Sequence, residues 1–260
     1  MNSAAAILLL IVAGSLKNDN FTNLSLFVIN HYDTIQEYTL RRFARESFTS
    51  LSSISDFIDI LGFADFAEFK SYISQTNRIR LLSLDNEFRK PDSYPRLLKQ
   101  ISRYSPDLNP SEIKGTLRRI SDEIHAHRRV FLLGAGNPNS LFLEFQISML
   151  MMGKPVISRM TTRNIDLDLR DIGSDDLVIL TSFNGTYINI YPERKQRLSR
   201  IANLAVITAG TGLKMPNASL ELVLPDSDYT SAVHLNLISA LNLLLYEYIT
   251  DYGSDRFSSL

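Results

Sequence analysis

Residues 38–70 read YTLRRFARESFTSLSSISDFIDILGFADFAEFK. Leu40, Phe43 and Ala44 recur at helical spacing, and Ile54, Phe57, Ile58 and Leu61 form a second apolar stripe. Ser50 stands where an N-cap would open that second helix, and Gly62 where the helix would close. Only Ser47, Phe48 and Thr49 separate the two stripes. A connection this short lets two helices cross steeply and projects the second outward, as in a helix-turn-helix; an ordinary helical hairpin has the same periodicity.

The charges of this lobe set the terms on which it could meet nucleic acid. Residues 37–76 hold four cations (Arg41, Arg42, Arg45, Lys70) and six anions (Glu37, Glu46, Asp56, Asp59, Asp65, Glu68). Affinity for duplex DNA comes largely from neutralised phosphates, so Asp56 and Asp59 on the second helix oppose docking. Ser52, Ser53 and Ser55 are polar groups that either reach base edges and phosphates or merely solvate an outer face. Arg41, Arg42 and Arg45 of the first helix are placed to grip the backbone.

The segment resembles the N-terminal domain of the RpiR family of bacterial sugar-metabolism regulators. That family's signature runs Leu-Ala, a short turn, Ser, a recognition helix ending in Leu-Gly-Phe/Tyr, then Gly-Phe-x-Glu-Phe-Lys. Phe43-Ala44, Ser50, Ser52-Ser53-Ile54-Ser55, Phe57, Leu61-Gly62-Phe63 and Phe66-Ala67-Glu68-Phe69-Lys70 fall on those positions without a gap. The resemblance implies operator DNA as a partner, contacted by Arg41, Arg42, Arg45, Ser50, Ser52, Ser53 and Ser55. The family usually places Arg just before the helix phenylalanine and Lys near the helix end, where this chain has Asp56, Asp59 and Ile60.

The chain has 260 residues, 45% of them hydrophobic, a formal net charge of -1, and neither cysteine nor tryptophan. It therefore carries no disulfide or thiolate metal site, and its charge gives no global pull toward nucleic acid. Its length suits two modest domains of a cytoplasmic protein. The apolar run from Ala4 to Ala13 is too short to cross a bilayer and lacks a basic n-region, so no membrane is expected. It reads as the opening helix of the N-terminal domain, followed by a helix over Phe21 to Tyr32.

After Lys70 the helical pattern fades through Ser71 to Asn77, and Asp85 to Pro95 reads as a linker. Helices are expected over Tyr94 to Tyr104 and, capped by Asn109, from Pro110 to about His127, with Ile113, Leu117, Ile120 and Ile124 inward. From Arg129 onward apolar strands alternate with helices, which predicts a parallel five-stranded sheet flanked by helices. The strands are Val130 to Leu133, Pro155 to Ser158, Leu177 to Ser182, Leu204 to Thr208 and Leu220 to Leu224; helices follow at Asn139 to Met152, Tyr187 to Ala202 and Tyr229 to Tyr252. The expected fold is α/β overall: an all-α domain over 1–77, a linker over 78–108, an α/β domain over 109–252, and a tail over 253–260.

In such a sheet ligands bind beyond the carboxyl ends of the strands, which singles out Gly134 to Ser140 and Ser182 to Tyr187. The first loop offers a tight glycine turn before a helix N-terminus, a place for an anion. It is not a dinucleotide fingerprint, since a third glycine is missing and Arg159 stands where an acid after the second strand is expected. The second loop is rich in hydroxyls and amides and suits a phosphate. Together the loops resemble the sugar isomerase (SIS) domain, which binds phosphorylated sugars and forms the C-terminal half of RpiR regulators. Its second loop runs Ser-x-Ser-Gly-x-Thr, and Ser182, Asn184, Gly185 and Tyr187 stand on those positions. In its first loop, Gly-x-Gly-x-Ser, this chain has Gly134, Gly136 and Pro138, with Ser140 two places late. The resemblance implies a phosphosugar site made of Gly134, Gly136, Asn137, Asn139, Ser140, Ser182, Asn184, Gly185, Thr186 and Tyr187.

Isomerisation of a sugar phosphate needs a base within reach of a carbon-bound proton, commonly Glu or His in related SIS enzymes. His234 falls on the apolar final helix, His125 and His127 at a helix end, and Glu144 and Glu193 on helices, each with a structural role available. The histidines show no metal-ligand spacing. The expectation is a regulator without catalytic residues, metal or cofactor, in which a phosphosugar changes the arrangement of a homodimer or homotetramer on DNA. Helices over Leu141 to Met152 and Leu235 to Ile249 are candidates for subunit contact. A SIS-fold phosphosugar isomerase, and a sensing or interaction protein whose helix-turn-helix has lost DNA, are the alternatives.

Overall fold

The computed structural model describes residues 3–15, 19–134, 141–159, 172–185, 188–189, 192–210 and 213–258. The helices are α1 (Ser3–Gly14), α2 (Asn20–Asn30), α3 (Leu40–Glu46), α4 (Leu51–Ile60), α5 (Phe66–Leu84), α6 (Ser93–Tyr104), α7 (Pro110–Ala126), α8 (Leu143–Met151), α9 (Pro192–Leu198), α10 (Thr230–Tyr252) and α11 (Ser254–Phe257). The strands are β1 (Arg129–Gly134), β2 (Val156–Ser158), β3 (Asp176–Thr181), β4 (Leu204–Ala209) and β5 (Leu220–Leu224).

α3 and α4 form where the two apolar stripes predict helices, joined by residues 47–50. Thr39 caps α3 by accepting from the Arg42 N–H at 3.1 Å, and Ser50 caps α4 by accepting from the Ser53 N–H at 3.1 Å. These bonds satisfy amides that have no partner within their own helix. Gly62 ends the unit at φ +87°, a backbone that a Cβ disfavours. Phe43, Ile54, Phe57 and Phe69 are fully buried. The aromatic rings pack in two groups: Phe43 lies 5.3 Å from Phe66 of α5 and 5.2 Å from Phe27 of α2, and Phe21 lies 6.1 Å from Phe57.

The middle of the chain corrects three expectations. The helix does not fade after Lys70: α5 runs on to Leu84, because Ile73 and Leu84 are buried and Tyr72 and Leu81 partly so, a stripe diluted by the polar residues 74–78. Asp85 to Pro95 is not an irregular linker. A π-helical turn over Asp85–Arg89 buries Phe88, and α6 starts at Ser93 with Pro95 in its first turn, where a backbone donor has no intrahelical partner. α1, expected to belong to the N-terminal helices alone, packs on α2 and also on β2 and α8, so it is shared with the sheet.

All five strands run parallel, in the order β2-β1-β3-β4-β5, each within one residue of its expected bounds. Every residue of β3 and β4 is buried, the signature of a sheet covered on both faces. The helix expected over Tyr187 to Ala202 is described as Pro192–Leu198. α10 has 23 residues and enough apolar character to cross a membrane, but 67% of its most apolar window is buried inside the fold, as in a core helix. It lies along α7.

Candidate functional site

The strand order reverses between β1 and β3, because β2 lies on one side of β1 and β3 on the other. Chains leaving such neighbours turn to opposite faces and open a crevice beyond the carboxyl ends. The register puts Gly134 beside Thr181, so both loops singled out by sequence start at this point. Of their residues, Gly134, Ser182, Asn184 and Gly185 are in place there; Gly136, Asn137, Asn139, Ser140, Thr186 and Tyr187 lie outside the described residues.

The second loop is braced by β4. The Ser182 N–H donates to the Ile207 carbonyl at 3.0 Å. Thr208 Oγ1 donates to the carbonyls of Ser182 at 3.0 Å and Phe183 at 3.2 Å. Gly185 then turns at φ +70°, and its carbonyl accepts from the Asn189 N–H at 2.9 Å. Ser182 is buried and Asn184 exposed. The loop is thus shaped by the strand beside it.

Three residues outside the expected set complete this end of the sheet. Ser158 closes β2 and Thr181 closes β3; both are buried, and neither hydroxyl has a hydrogen-bond partner among the described residues. An unpaired buried hydroxyl costs about 1–3 kcal/mol; the two stand on either side of β1, Ser158 level with Leu132 and Thr181 with Gly134. Arg159 follows Ser158, is only 6% exposed, and donates from Nη1 to the Val12 carbonyl in the last turn of α1 at 2.7 Å. Their sequence signal was slight: hydroxyls and a cation ending apolar strands.

The candidate bases scatter. His125 stacks on Tyr252 at 3.9 Å, and His127 Nδ1 lies 2.8 Å from the Glu123 carbonyl; both precede β1, at the amino end of the sheet. Glu144 pairs with Arg80 and is 61% exposed, and Glu193 is exposed. His234 alone comes near the second loop, its half-buried ring 5.7 Å from Phe183. No cluster of metal-ligating side chains occurs among the described residues.

In the helical lobe, α4 presents Ser52, Ser55, Asp56 and Asp59 to solvent. Ser50 and Ser53 are engaged with each other, their hydroxyls 2.9 Å apart. Arg42 donates to Glu46 at 2.9 Å and lies 4.0 Å over the Tyr38 ring, and Arg45 reaches Glu46 at 3.3 Å. The Arg42 bond, aided by one from the Tyr38 hydroxyl, holds the Glu46 carboxyl at about 2. Arg41 is exposed. Phe48, in the turn, is 95% exposed with φ +53°, and Ile60 is 62% exposed.

No protein-family model matches the chain, and no curated protein matches its sequence. Among solved structures, the Vibrio vulnificus NanR protein complexed with ManNAc-6P is similar over 94% of this chain and 92% of its own, with 15% identity and a TM-score of 0.48. The sugar isomerase domain of an RpiR transcription factor from Sphaerobacter thermophilus matches 64% of this chain and 92% of its own, at 15% identity and a TM-score of 0.48. A Methanococcus jannaschii protein with an inferred 3-hexulose-6-phosphate isomerase function matches 64% and 93%, at 19% identity and a TM-score of 0.46. These likenesses are distant, and the chemistry of the site rests on its own residues.

Proposed function

We propose that the chain is a DNA-binding transcriptional regulator of carbohydrate metabolism, active in the cytoplasm as a homodimer or homotetramer, whose α/β half senses a phosphorylated sugar. The sugar phosphate occupies the crevice at Gly134 and Ser182, and α4 is the reading helix. No catalytic residue takes part. The observation that carries this reading is the continuity of α5. At its start Lys70 Nζ donates to the carbonyls of Gln36 at 3.1 Å and Tyr38 at 2.8 Å, behind the helix-turn-helix. Near its end Arg80 donates to Glu144 and, at 2.9 Å, to Ser148 Oγ, both on α8, the helix that follows the first loop. One rigid element thus joins the reading unit to the ligand end, as linkage between two sites requires.

The acidic outer face of α4, with Arg42 and Arg45 drawn onto Glu46, favours a second reading: an interaction module that keeps the fold without DNA. Fluorescence anisotropy with DNA fragments from the chain's own upstream region, across a salt series, separates the two. Specific, salt-sensitive binding supports the regulator; binding no stronger than to a neutral control supports the interaction module.

A further inference from the structure

We propose that the last residues of the chain are a strap that couples the crevice at Gly134 and Ser182 to the α3–α4 unit, with Arg256 as the latch and Asp33 as its catch. This rests on the phosphosugar and DNA readings above and adds to them a regulatory route distinct from α5.

α10 and α11 are one continuous piece of chain with an end at each site. Near the start of α10, the His234 ring lies 5.7 Å from Phe183 of the second loop, and Asn236 Nδ2 donates to the Pro225 carbonyl, just beyond β5, at 3.3 Å. Tyr252 closes α10 about 27 Å further along, at about 1.5 Å per residue. Most of this helix is packed inside the fold, so it shifts as one piece.

The far end is anchored and latched by different residues. Past Gly253, Phe257 of α11 is buried, with the Arg89 guanidinium 4.7 Å over its ring. Arg256 beside it pairs with Asp33, and its guanidinium fills the space that a Cβ at Gly153 would need. Arg256 and Asp33 are 31% and 40% exposed, so water screens their pairing and the bond is readily broken and remade. The apolar anchor holds the strap in place, and the ion pair is the part that switches.

Asp33 lies in the turn after α2, at the head of the short segment that seats α3. Lys70 of α5 holds the carbonyls of Gln36 and Tyr38 there, Thr39 caps α3, and the Tyr38 hydroxyl donates to Glu46 at the end of α3 at 2.8 Å. A ligand that moves Phe183 displaces the start of α10, and the strap passes the shift through Arg256 to this segment. Linkage requires such a contact to differ between the two states.

The test uses full-length protein with Arg256→Gln, Asp33→Asn and the two together. Hydrogen exchange of residues 33–39, without ligand or DNA, is expected to speed about threefold in each single variant and no further in the double variant, because both remove the same bond. Calorimetry with a panel of hexose 6-phosphates, and anisotropy with DNA from the chain's own upstream region, then read the coupling. Arg256→Gln is expected to bind DNA alone, and the phosphate that binds the wild type, within about twofold of wild-type affinity, while the shift in DNA affinity caused by that phosphate falls by about half or more. A merely structural contact would leave that shift unchanged. Exchange that is unmoved, or that speeds further in the double variant, overturns the latch. Exchange as expected with the full shift retained overturns its role in coupling. Should no hexose 6-phosphate bind the wild type, the phosphosugar reading fails and the coupling role with it, whereas the exchange measurements stand apart and still decide whether the latch forms.

Discussion

Arg80, in the last third of α5, hydrogen-bonds Glu144 at the start of α8 and so ties the helical lobe to the α/β half. The pair lies at the seam, with Arg80 20% and Glu144 61% exposed. Water screens such a bond, so Arg80→Ala is expected to lower stability in urea unfolding by only about 1 kcal/mol. Its larger effect should be on communication. If sugar phosphate shifts DNA affinity as strongly in Arg80→Ala as in the wild type, α5 is a passive tether.

The charge on α4 makes DNA affinity easy to raise. Replacing Asp56 and Asp59 by Asn removes two exposed anions from the outer face, and binding at fixed salt should tighten about tenfold. Arg41→Ala should weaken binding to all sequences alike and reduce the salt slope by about 1 per protomer. An Asp56→Asn/Asp59→Asn protein with unchanged affinity would place the DNA surface elsewhere.

Two phenylalanines of the same lobe should respond in opposite ways. Phe57 is fully buried, and Phe57→Ala is expected to cost about 3–5 kcal/mol. Phe48 is almost fully exposed in a left-handed turn, so Phe48→Gly gives up little packing and relieves backbone strain. It should raise the urea midpoint, by about 1 kcal/mol of stability. A loss of that size instead would show that the ring is packed in solution, most simply against another copy.

Asp176 gives stability a pH dependence. The bond from Arg129, reinforced by the Gly173 N–H at 2.8 Å, holds its carboxyl below the usual carboxylate range. The unfolded carboxyl titrates near pH 3.9. Because the folded value is the lower one, the stabilisation is complete above that pH and disappears as pH falls through the folded pKa. Asp176→Asn should cost about 2 kcal/mol at pH 7, with the gap to wild type closing as pH falls through the folded pKa. A gap independent of pH would mean that packing, not charge, is what Asp176 supplies.

How much of this was legible in the sequence depended on range. β1 and β4 announced themselves as apolar runs, and α4 by its cap at Ser50 and stop at Gly62, all local signals. The pairing of Arg42 with Glu46 is also within reach of the sequence, since the two stand one helical turn apart, although Arg42 reads equally as a grip on DNA beside Arg41 and Arg45. The second half of α5 is not legible locally, because its buried positions past Ile73 are sparse. The importance of Ser158 and Thr181 depends on strand register, and the Arg159 bond joins residues 147 apart; no local pattern encodes either.

The most direct test is reciprocal. Affinity for the effective sugar phosphate should be measured with and without saturating operator DNA, and DNA affinity with and without the sugar phosphate. Linkage through one chain predicts that both ratios depart from one by the same factor. Tight binding of both ligands with ratios of one would contradict it: the two halves would then bind their partners without informing each other.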